Sequence, residues 1–389
     1  MHSRWAVLAL LFTVRATMAF QFQSVAAVSP LLQHDLGVNI ADIGTLIGLY
    51  FAPGIVLALP GGALGKRFGD KAVVLIGLGL MLAGGLLMAA AGWWDAQIAG
   101  RLISGTGGVL LNVVMTKMVA DWFAGREIST AMAIFVNSWP FGIAISLLLL
   151  PVIGVSGGVA MVHLFVAGLV GAGLLLLAAA YRAPAAALQS AAASRLGGRA
   201  AVSVVTAGLI WGFYNVAFAM IFSFGPLMLA ERGWSVTAAG SAISVVLWLT
   251  SASVPLGGFL ADRSGRNDAV LVGGCVAFAL LMILATRIPL VVPAMVALGL
   301  VCGLAAGPIM ALPARVLEPG TRAIGMGIFY FVFYASMMLG PPLGGRVAMW
   351  AGTPRSAFDF GAGMLAICVV LVGLFRRRQP AAAAAPVTP

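Results

Sequence analysis

The sequence predicts an all-α membrane protein whose twelve transmembrane helices form two pseudo-symmetric six-helix bundles. Three observations support this fold class: the apolar composition, the number of long apolar segments, and a repeat at half the chain length. Of the 389 residues, 62% are hydrophobic and 8% are charged, whereas soluble domains have about 45–50% and about 25%. So few charged side chains cannot cover a water-soluble fold of this size, which excludes a soluble enzyme and a disordered chain.

Twelve apolar segments are long enough to cross a bilayer, which requires about 20 mainly apolar residues each. Arg15 interrupts the first segment, but the segment continues to Pro30, which favours a retained span over a cleaved signal peptide. The predicted spans lie near residues 5–31, 42–64, 72–92, 97–119, 128–153, 158–181, 200–229, 236–260, 269–287, 289–312, 324–348 and 356–375.

Basic residues are concentrated on one side of this topology. With both termini in the cytoplasm, 16 Lys and Arg lie in cytoplasmic loops and four lie outside. Because cytoplasmic loops carry an excess of Lys and Arg, we expect a multi-pass protein of a bacterial-type inner membrane with both termini cytoplasmic. The net charge of +11 is explained by this bias, so nucleic-acid binding is excluded.

The two halves of the chain repeat each other at an offset of 196 residues. Matching positions are Pro30 and Pro226, Gly62 and Gly258, and Arg126 and Arg322. Parallel six-helix repeats are typical of transporters, which bind substrate at mid-membrane between the halves. The repeat predicts an N-terminal bundle at 1–181, a cytoplasmic linker rich in Ala and Ser at 182–199, a C-terminal bundle at 200–378 and a disordered cytoplasmic tail at 379–389.

The loop after the eighth span carries a motif. It reads Gly258-Phe259-Leu260-Ala261-Asp262-Arg263-Ser264-Gly265-Arg266-Asn267. This resembles the signature loop of the major facilitator superfamily, Gly-x-Leu-Ala-Asp-Arg-x-Gly-Arg-Lys, at nearly every position. The first-half copy keeps the glycines of residues 62–71 but has Lys66 in place of the family's Asp. Arg101 with Gly105 and Gly107 is also similar to a family pattern in span 4.

The resemblance implies the major facilitator fold, transport by alternating access, and a set of gating residues. In the family the second-half loop faces the start of span 5, so Asp262, Arg263 and Arg266, with Arg126 beside them, would hold the cytoplasmic side closed. Lys66 would oppose the positive N-terminal end of span 11 beside Arg322, so Asp70 is the candidate substitute in the first half. The alternative is that these charges only anchor the topology.

Arg15 is the leading candidate for substrate binding. Counted from Trp5, it lies about 15 Å into the membrane, where an arginine without a partner is costly. All eleven acidic residues fall in predicted loops or first turns, so no carboxylate is expected to pair with it. An unpaired guanidinium favours an anionic ligand, although an arginine held by carbonyls and water is the alternative.

Arg101 is the second candidate, with snorkelling to the headgroups as its alternative. An arginine in span 1 and another in span 4 is similar to the organic-anion members of the superfamily. Those members add a membrane acid for proton coupling, and this chain has Gly108 where that acid is expected. Further candidates are polar or aromatic residues, which could also serve only in packing: Asn112, Asn137, Trp211, Tyr214, Asn215, Tyr330 and Tyr334.

We therefore expect a secondary active or facilitated transporter of a small anion, with an organic carboxylate favoured, that acts as a monomer. The alternative is a proton-coupled antiporter that exports lipophilic or cationic compounds, although the family's antiporter motif is missing from span 5. An enzyme is not expected, because the three histidines do not have the spacing of a catalytic group. The three cysteines lie singly in apolar segments, so we expect no disulfide, metal site or cofactor.

Overall fold

The computed structural model describes residues 3–58, 61–123, 128–182, 196–318 and 321–378. In the N-terminal half the helices are Arg4–Gln23 (span 1), Ile40–Leu49, Ala52–Leu57 and Gly61–Phe68 (span 2), Asp70–Ala90 (span 3), Trp94–Trp122 (span 4) and Ile128–Ala180 (spans 5 and 6). In the C-terminal half they are Gly198–Glu231 (span 7), Val236–Ser264 (span 8), Asn267–Arg287 (span 9), Val291–Cys302 and Ala306–Met310 (span 10), Arg322–Ala351 (span 11) and Arg355–Arg378 (span 12).

Within these ranges, eleven helical segments are long and apolar enough to span a membrane. One of them, Ile134–Ala180, has 47 residues, about 70 Å of helix, which is enough for two crossings. Gly158 divides it with a non-helical φ of 76° and ψ of 176°. The predicted all-α fold with twelve transmembrane helices is therefore confirmed. An even number of spans puts the start of span 1 and the end of span 12 on one face, called here the terminal face; the opposite face is the distal face.

The first span is shorter than its apolar segment, because the α-helix ends at Gln23. Ser24 donates its hydroxyl to the carbonyl of Gln21 at 2.9 Å, a local bond that competes with helix continuation. A 3₁₀ turn, Ala26–Val28, and a short helix, Ser29–Leu36, follow on the distal face. Span 7, the counterpart of span 1 in the repeat, instead continues through Pro226 without interruption.

Glycines bring the two halves into backbone contact on the distal side. A Cβ on Gly48 of span 2 would overlap Met338 of span 11, and one on Gly240 of span 8 would overlap Leu147 of span 5. Close by, the hydroxyl of Ser244 in span 8 donates to the carbonyl of Ala144 in span 5 at 2.7 Å. These contacts close the distal side.

A hydrogen bond also joins the distal ends of spans 1 and 7. Pro226 has no N–H, so the carbonyl of Phe222 four residues earlier lacks its helical donor. The side-chain amide of Gln23 donates to this carbonyl at 2.9 Å. Gln23 in the N-terminal half therefore supplies the donor that Pro226 removes from the C-terminal half.

On the terminal face, the described ion pairs join spans of the same half. Lys117 of span 4 bonds Asp70 of span 3 at 2.6 Å, and also Asp121 at 2.8 Å. In the C-terminal half, Asp268 of span 9 bonds Arg315 at 2.8 Å and Arg376 at 2.9 Å. The terminal end of span 2, Gly61–Phe68, packs on spans 3 and 4 of its own half. The two halves are thus closed against each other on the distal side, whereas these terminal-face contacts stay within one half.

Candidate functional site

Arg15 lies in the middle of span 1 and is 8% exposed. Its Nε and Nη2 atoms both donate to Asn112 Oδ1 of span 4, at 3.2 and 3.1 Å. Its Nη1 atom donates to Ser138 Oγ of span 5 at 2.9 Å. Spans 1, 4 and 5 together therefore hold the guanidinium.

Two backbone carbonyls of span 5 complete this environment. Nη1 lies 3.1 Å from the carbonyl oxygens of both Phe135 and Val136, and the guanidinium carbon lies 4.8 Å from the centre of the Phe135 ring. Pro140 explains one of these acceptors, because it removes the N–H that would bind the Val136 carbonyl. Sequence reasoning missed Ser138 and the carbonyls, although Pro140 was a usable signal.

The partners of Arg15 are neutral oxygens. Within the ranges that the structure describes, the ion pairs do not include Arg15, so its positive charge is not compensated. A guanidinium has five N–H donors, and the bonds to Asn112, Ser138 and the carbonyls occupy four of them. One N–H of Nη2 is therefore left for a ligand or water.

Asn112 connects this site to the other half of the protein. Its Nδ2 atom donates to the hydroxyl of Tyr334 in span 11 at 3.1 Å. Tyr334 packs directly against the backbone of Gly54 in span 2, where a Cβ would overlap its ring. Tyr330 lies one turn away from Tyr334, and the centroids of their rings are 6.5 Å apart. The guanidinium, the amide and the two phenols thus form one group that bridges the halves.

Aromatic side chains surround this group. Trp211 of span 7 is half-buried and stacks on Tyr214, with ring centroids 5.6 Å apart, and on Phe333, at 6.2 Å. The Tyr214 hydroxyl donates to the Cys302 carbonyl at 2.6 Å, so Tyr214 supports Trp211 from inside the C-terminal half. On the distal side, contacting rings form an aromatic cluster: Phe22, Tyr50, Phe51, Trp139, Phe222, Phe333 and Tyr334.

Two predicted amides have different surroundings. Asn215 donates to the Trp211 carbonyl of its own helix at 2.8 Å, and its side chain is half-buried one turn from Trp211. Asn137 is half-buried on span 5, next to Ser138. Both lie near the interface between the halves, and their role in binding stays a prediction.

Arg101 has a structural environment and is 0% exposed. It donates to the carbonyls of Leu46, Gln21 and Phe22, at 2.9, 2.9 and 3.1 Å, so it joins span 4 to spans 1 and 2. The Tyr50 ring covers its guanidinium at 4.8 Å. Arg101 therefore neither snorkels nor joins the Arg15 group, and this geometry favours a role in packing.

Close contact with Tyr50 explains why span 4 has glycine, and not an acid, in the turns after Arg101. A Cβ on Gly108 would lie 2.5 Å from the Tyr50 hydroxyl, and Gly105 contacts the Tyr50 backbone. The space expected for a coupling carboxylate is occupied by a phenol from span 2.

The predicted gating residues are described only in part. Arg126 lies outside the described residues, as do the side chains of Lys66, Asp262 and Arg322. The expected contact between the loop after span 8 and the start of span 5 therefore stays a prediction.

The remaining gating candidates lie on the terminal face. Asp70 bonds Lys117 of its own half. Arg263 is exposed, with its guanidinium 5.8 Å from the Phe259 ring. Arg266 is exposed beside Asp268 and Arg376. Nothing in these contacts joins the two halves.

Both halves of the sequence match the model of a known protein family. The sequence model of the Major Facilitator Superfamily matches residues 11–235 and 201–388. The chain belongs to the major facilitator superfamily. The family expected from the loop after span 8 is therefore confirmed.

Related proteins transport different substrates. The chain is 25% identical over 277 residues to the lysosomal dipeptide transporter MFSD1 of Danio rerio, covering 64% of this chain and 59% of that protein. It is 28% identical over 148 residues to the probable galactarate/D-glucarate transporter GudP of Bacillus subtilis, covering 36% and 32%. The chain thus spans less than two thirds of the length of these curated relatives.

The fold is similar to that of a solved sugar transporter. A crystal structure of a D-xylose-proton symporter superposes with a TM-score of 0.80 at 14% identity, covering 97% of this chain and 98% of that one. At this identity the likeness establishes the fold alone.

Proposed function

We propose that this transporter carries a small organic anion, with a carboxylate favoured, and that Arg15 binds the anionic group. The observation that carries the proposal is the uncompensated charge of Arg15, whose partners are neutral oxygens. A buried cation of this kind is stabilised when a ligand supplies the negative charge. The match to a probable galactarate/D-glucarate transporter agrees with this substrate class.

The geometry supports a two-part site. The free N–H of Arg15 would donate to a carboxylate oxygen, and the half-buried Trp211 and Tyr330 would contact the rest of the substrate from the C-terminal half. Asn112 contacts both sides of this site, because it accepts from Arg15 and donates to Tyr334. An anion that competes for Arg15 would therefore alter a hydrogen bond between the halves.

The contacts between the halves on the distal side, together with the Arg15 site at mid-membrane, support transport by alternating access. In the distal-closed state the substrate would enter from the terminal face, which the excess of basic residues predicts to be cytoplasmic. Opening of the distal side would separate Gly48 from span 11 and Gly240 from span 5, while the halves rock about Arg15. Without a membrane carboxylate near Arg15, the movement is uniport, exchange, or symport of a proton carried on the substrate.

The test measures binding by the purified protein with isothermal titration calorimetry. The probes are D-glucarate, succinate and the uncharged analogue sorbitol. We expect saturable binding of a carboxylate and no binding of sorbitol. Loss of a charged hydrogen bond of about 2 kcal/mol should weaken carboxylate binding about thirtyfold in Arg15→Gln. Arg287→Gln is the matched control, because Arg287 pairs with Asp359 on the distal face at 2.8 Å.

Two results would contradict the proposal. One is carboxylate affinity in Arg15→Gln equal to that of the wild type, with both proteins monodisperse. The other is the absence of carboxylate binding to the wild type across a wider panel of mono- and dicarboxylates.

The second candidate function is export of a lipophilic or cationic compound. The aromatic cluster favours it, because stacked rings bind organic cations through their π faces. The charge of Arg15 opposes it. Under this alternative, Arg15→Gln should bind tetraphenylphosphonium at least as tightly as the wild type does, whereas under the anion proposal neither protein should bind it.

A further inference from the structure

Two cavities at the terminal end of the C-terminal half are separate from the Arg15 site. The first, of about 930 Å³, lies between the start of span 7, the end of span 10 and the end of span 12. The second, of about 590 Å³, lies between the start of span 9 and the ends of spans 10 and 12. Arg315 lines both and separates them.

Both cavities are strongly basic. Arg199 and Arg377 line the first, and Arg266 and Arg376 line the second, in addition to the shared Arg315. Two acids offset these five arginines, Glu318 in the first cavity and Asp268 in the second. The combined formal charge of the linings is thus +3, and a guanidinium can bind phosphate oxygens in a bidentate manner.

The acids neutralise only one of the three arginines of the first cavity, Arg315. Asp268 binds Arg315 and Arg376 at 2.8 and 2.9 Å, so it fixes the wall between the cavities. Arg199 and Arg377 are exposed and have no ion pair among the described residues. Two guanidinium groups therefore face the larger cavity without a carboxylate partner.

The first cavity also lies at the positive end of a long helix. Span 7 begins at Gly198, and its N-cap residue Gly197 has no side chain to bind the first N–H groups. The residues of that first turn, Gly198, Arg199 and Ala200, line the cavity. Uncapped N–H groups and the helix dipole favour a bound anion, above all a phosphate.

We propose that the larger cavity binds a phosphate group, either of an anionic phospholipid or of a soluble phosphate compound. Basic pockets between transmembrane helices on the cytoplasmic side bind anionic headgroups, and the size of this cavity is ordinary for a small ligand. The bound group would bridge the ends of spans 7, 10 and 12. Because these spans belong to one half, the ligand stabilises that half and does not oppose movement between the halves.

The test measures ligand binding with two probes that separate the sources. Native mass spectrometry counts bound phosphatidylglycerol against phosphatidylcholine, and the melting temperature is followed in inorganic phosphate against chloride at equal ionic strength. The variant Arg199→Gln/Arg377→Gln should lose at least tenfold in affinity for whichever probe binds. The control Arg67→Gln/Arg182→Gln removes two exposed arginines of the terminal face outside both cavities and should bind as the wild type does.

A second variant distinguishes loss of the binding site from loss of folding, because it is expected to gain affinity. Glu318→Gln removes the carboxylate from the lining, so it should tighten binding severalfold. Binding of phosphatidylglycerol alone would assign the site to a lipid, and binding of inorganic phosphate would assign it to a soluble anion. The proposal fails if neither probe binds the wild type, or if the double variant and Glu318→Gln both bind as the wild type does. Arg15→Gln should retain this binding in full, which keeps the result independent of the transported substrate.

Discussion

We predict that removing the hydrogen bond between Gln23 and the Phe222 carbonyl shifts the equilibrium from the distal-closed towards the distal-open state. Both groups are buried on the distal side, and their distance is 2.9 Å. In Gln23→Ala the Phe222 carbonyl has no donor, because Pro226 cannot supply one. Such a loss costs about 1–3 kcal/mol, and interhelical hydrogen bonds in membranes reach about 1.7 kcal/mol.

The bond forms only when the distal ends of spans 1 and 7 are in contact, so the cost falls on the distal-closed state. We expect a destabilisation of about 1–1.7 kcal/mol, which changes the ratio of closed to open molecules about five- to eighteenfold. Spin labels at Val155→Cys and Ser235→Cys, both on exposed distal ends of spans 5 and 8, report this ratio as a distance distribution in nanodiscs. The three native cysteines are buried and do not interfere.

Gln97→Ala is the matched control. Gln97 is equally buried, but its side-chain amide donates to the carbonyls of Met88 and Ala91 inside the N-terminal half. This variant should lower the melting temperature and leave the distance distribution unchanged. If Gln23→Ala gives the same distribution as Gln97→Ala, the bond does not stabilise distal closure.

Other substitutions test the packing between and within the halves. Gly240→Leu should abolish transport by preventing distal closure while the protein stays monodisperse, whereas Gly79→Leu, with no atom within 4 Å of its Cβ position, should transport normally. Arg101→Met removes the guanidinium donor from three buried carbonyls and should cost about 3 kcal/mol of stability, seen as a lower melting temperature; unchanged stability would refute its packing role. Pro140→Ala restores a helical donor to the Val136 carbonyl and should weaken carboxylate binding severalfold in calorimetry, and equal affinity would show that this carbonyl does not orient Arg15.

Several features of the site were accessible from the sequence because they depend on counting charges. Arg15 stands in an apolar segment, and all acidic residues fall outside the middle of the spans. A missing partner can be recognised in this way without coordinates. The aromatic residues of span 11 were likewise found, although nothing in their spacing showed that Tyr334 would bond Asn112.

The same reasoning could not separate Arg15 from Arg101. Both are buried arginines on helices of the same half, and their difference lies in the neighbours that packing supplies. Arg101 meets three carbonyls of spans 1 and 2, while Arg15 meets a side-chain amide that also contacts the other half. Contacts between distant segments have no local sequence pattern.

Amino-acid composition, apolar length and the 196-residue repeat were enough to determine the membrane, the twelve spans and the two halves, because the bilayer demands about 20 apolar residues for every crossing. Tertiary structure decided the rest. The packing of spans 2, 5, 8 and 11 closed the distal side through glycine, and the prolines of spans 5 and 7 released carbonyls for Arg15 and Gln23. Those assignments depend on which helix faces which, and this is set by side-chain packing across the interface rather than by the period of any one helix.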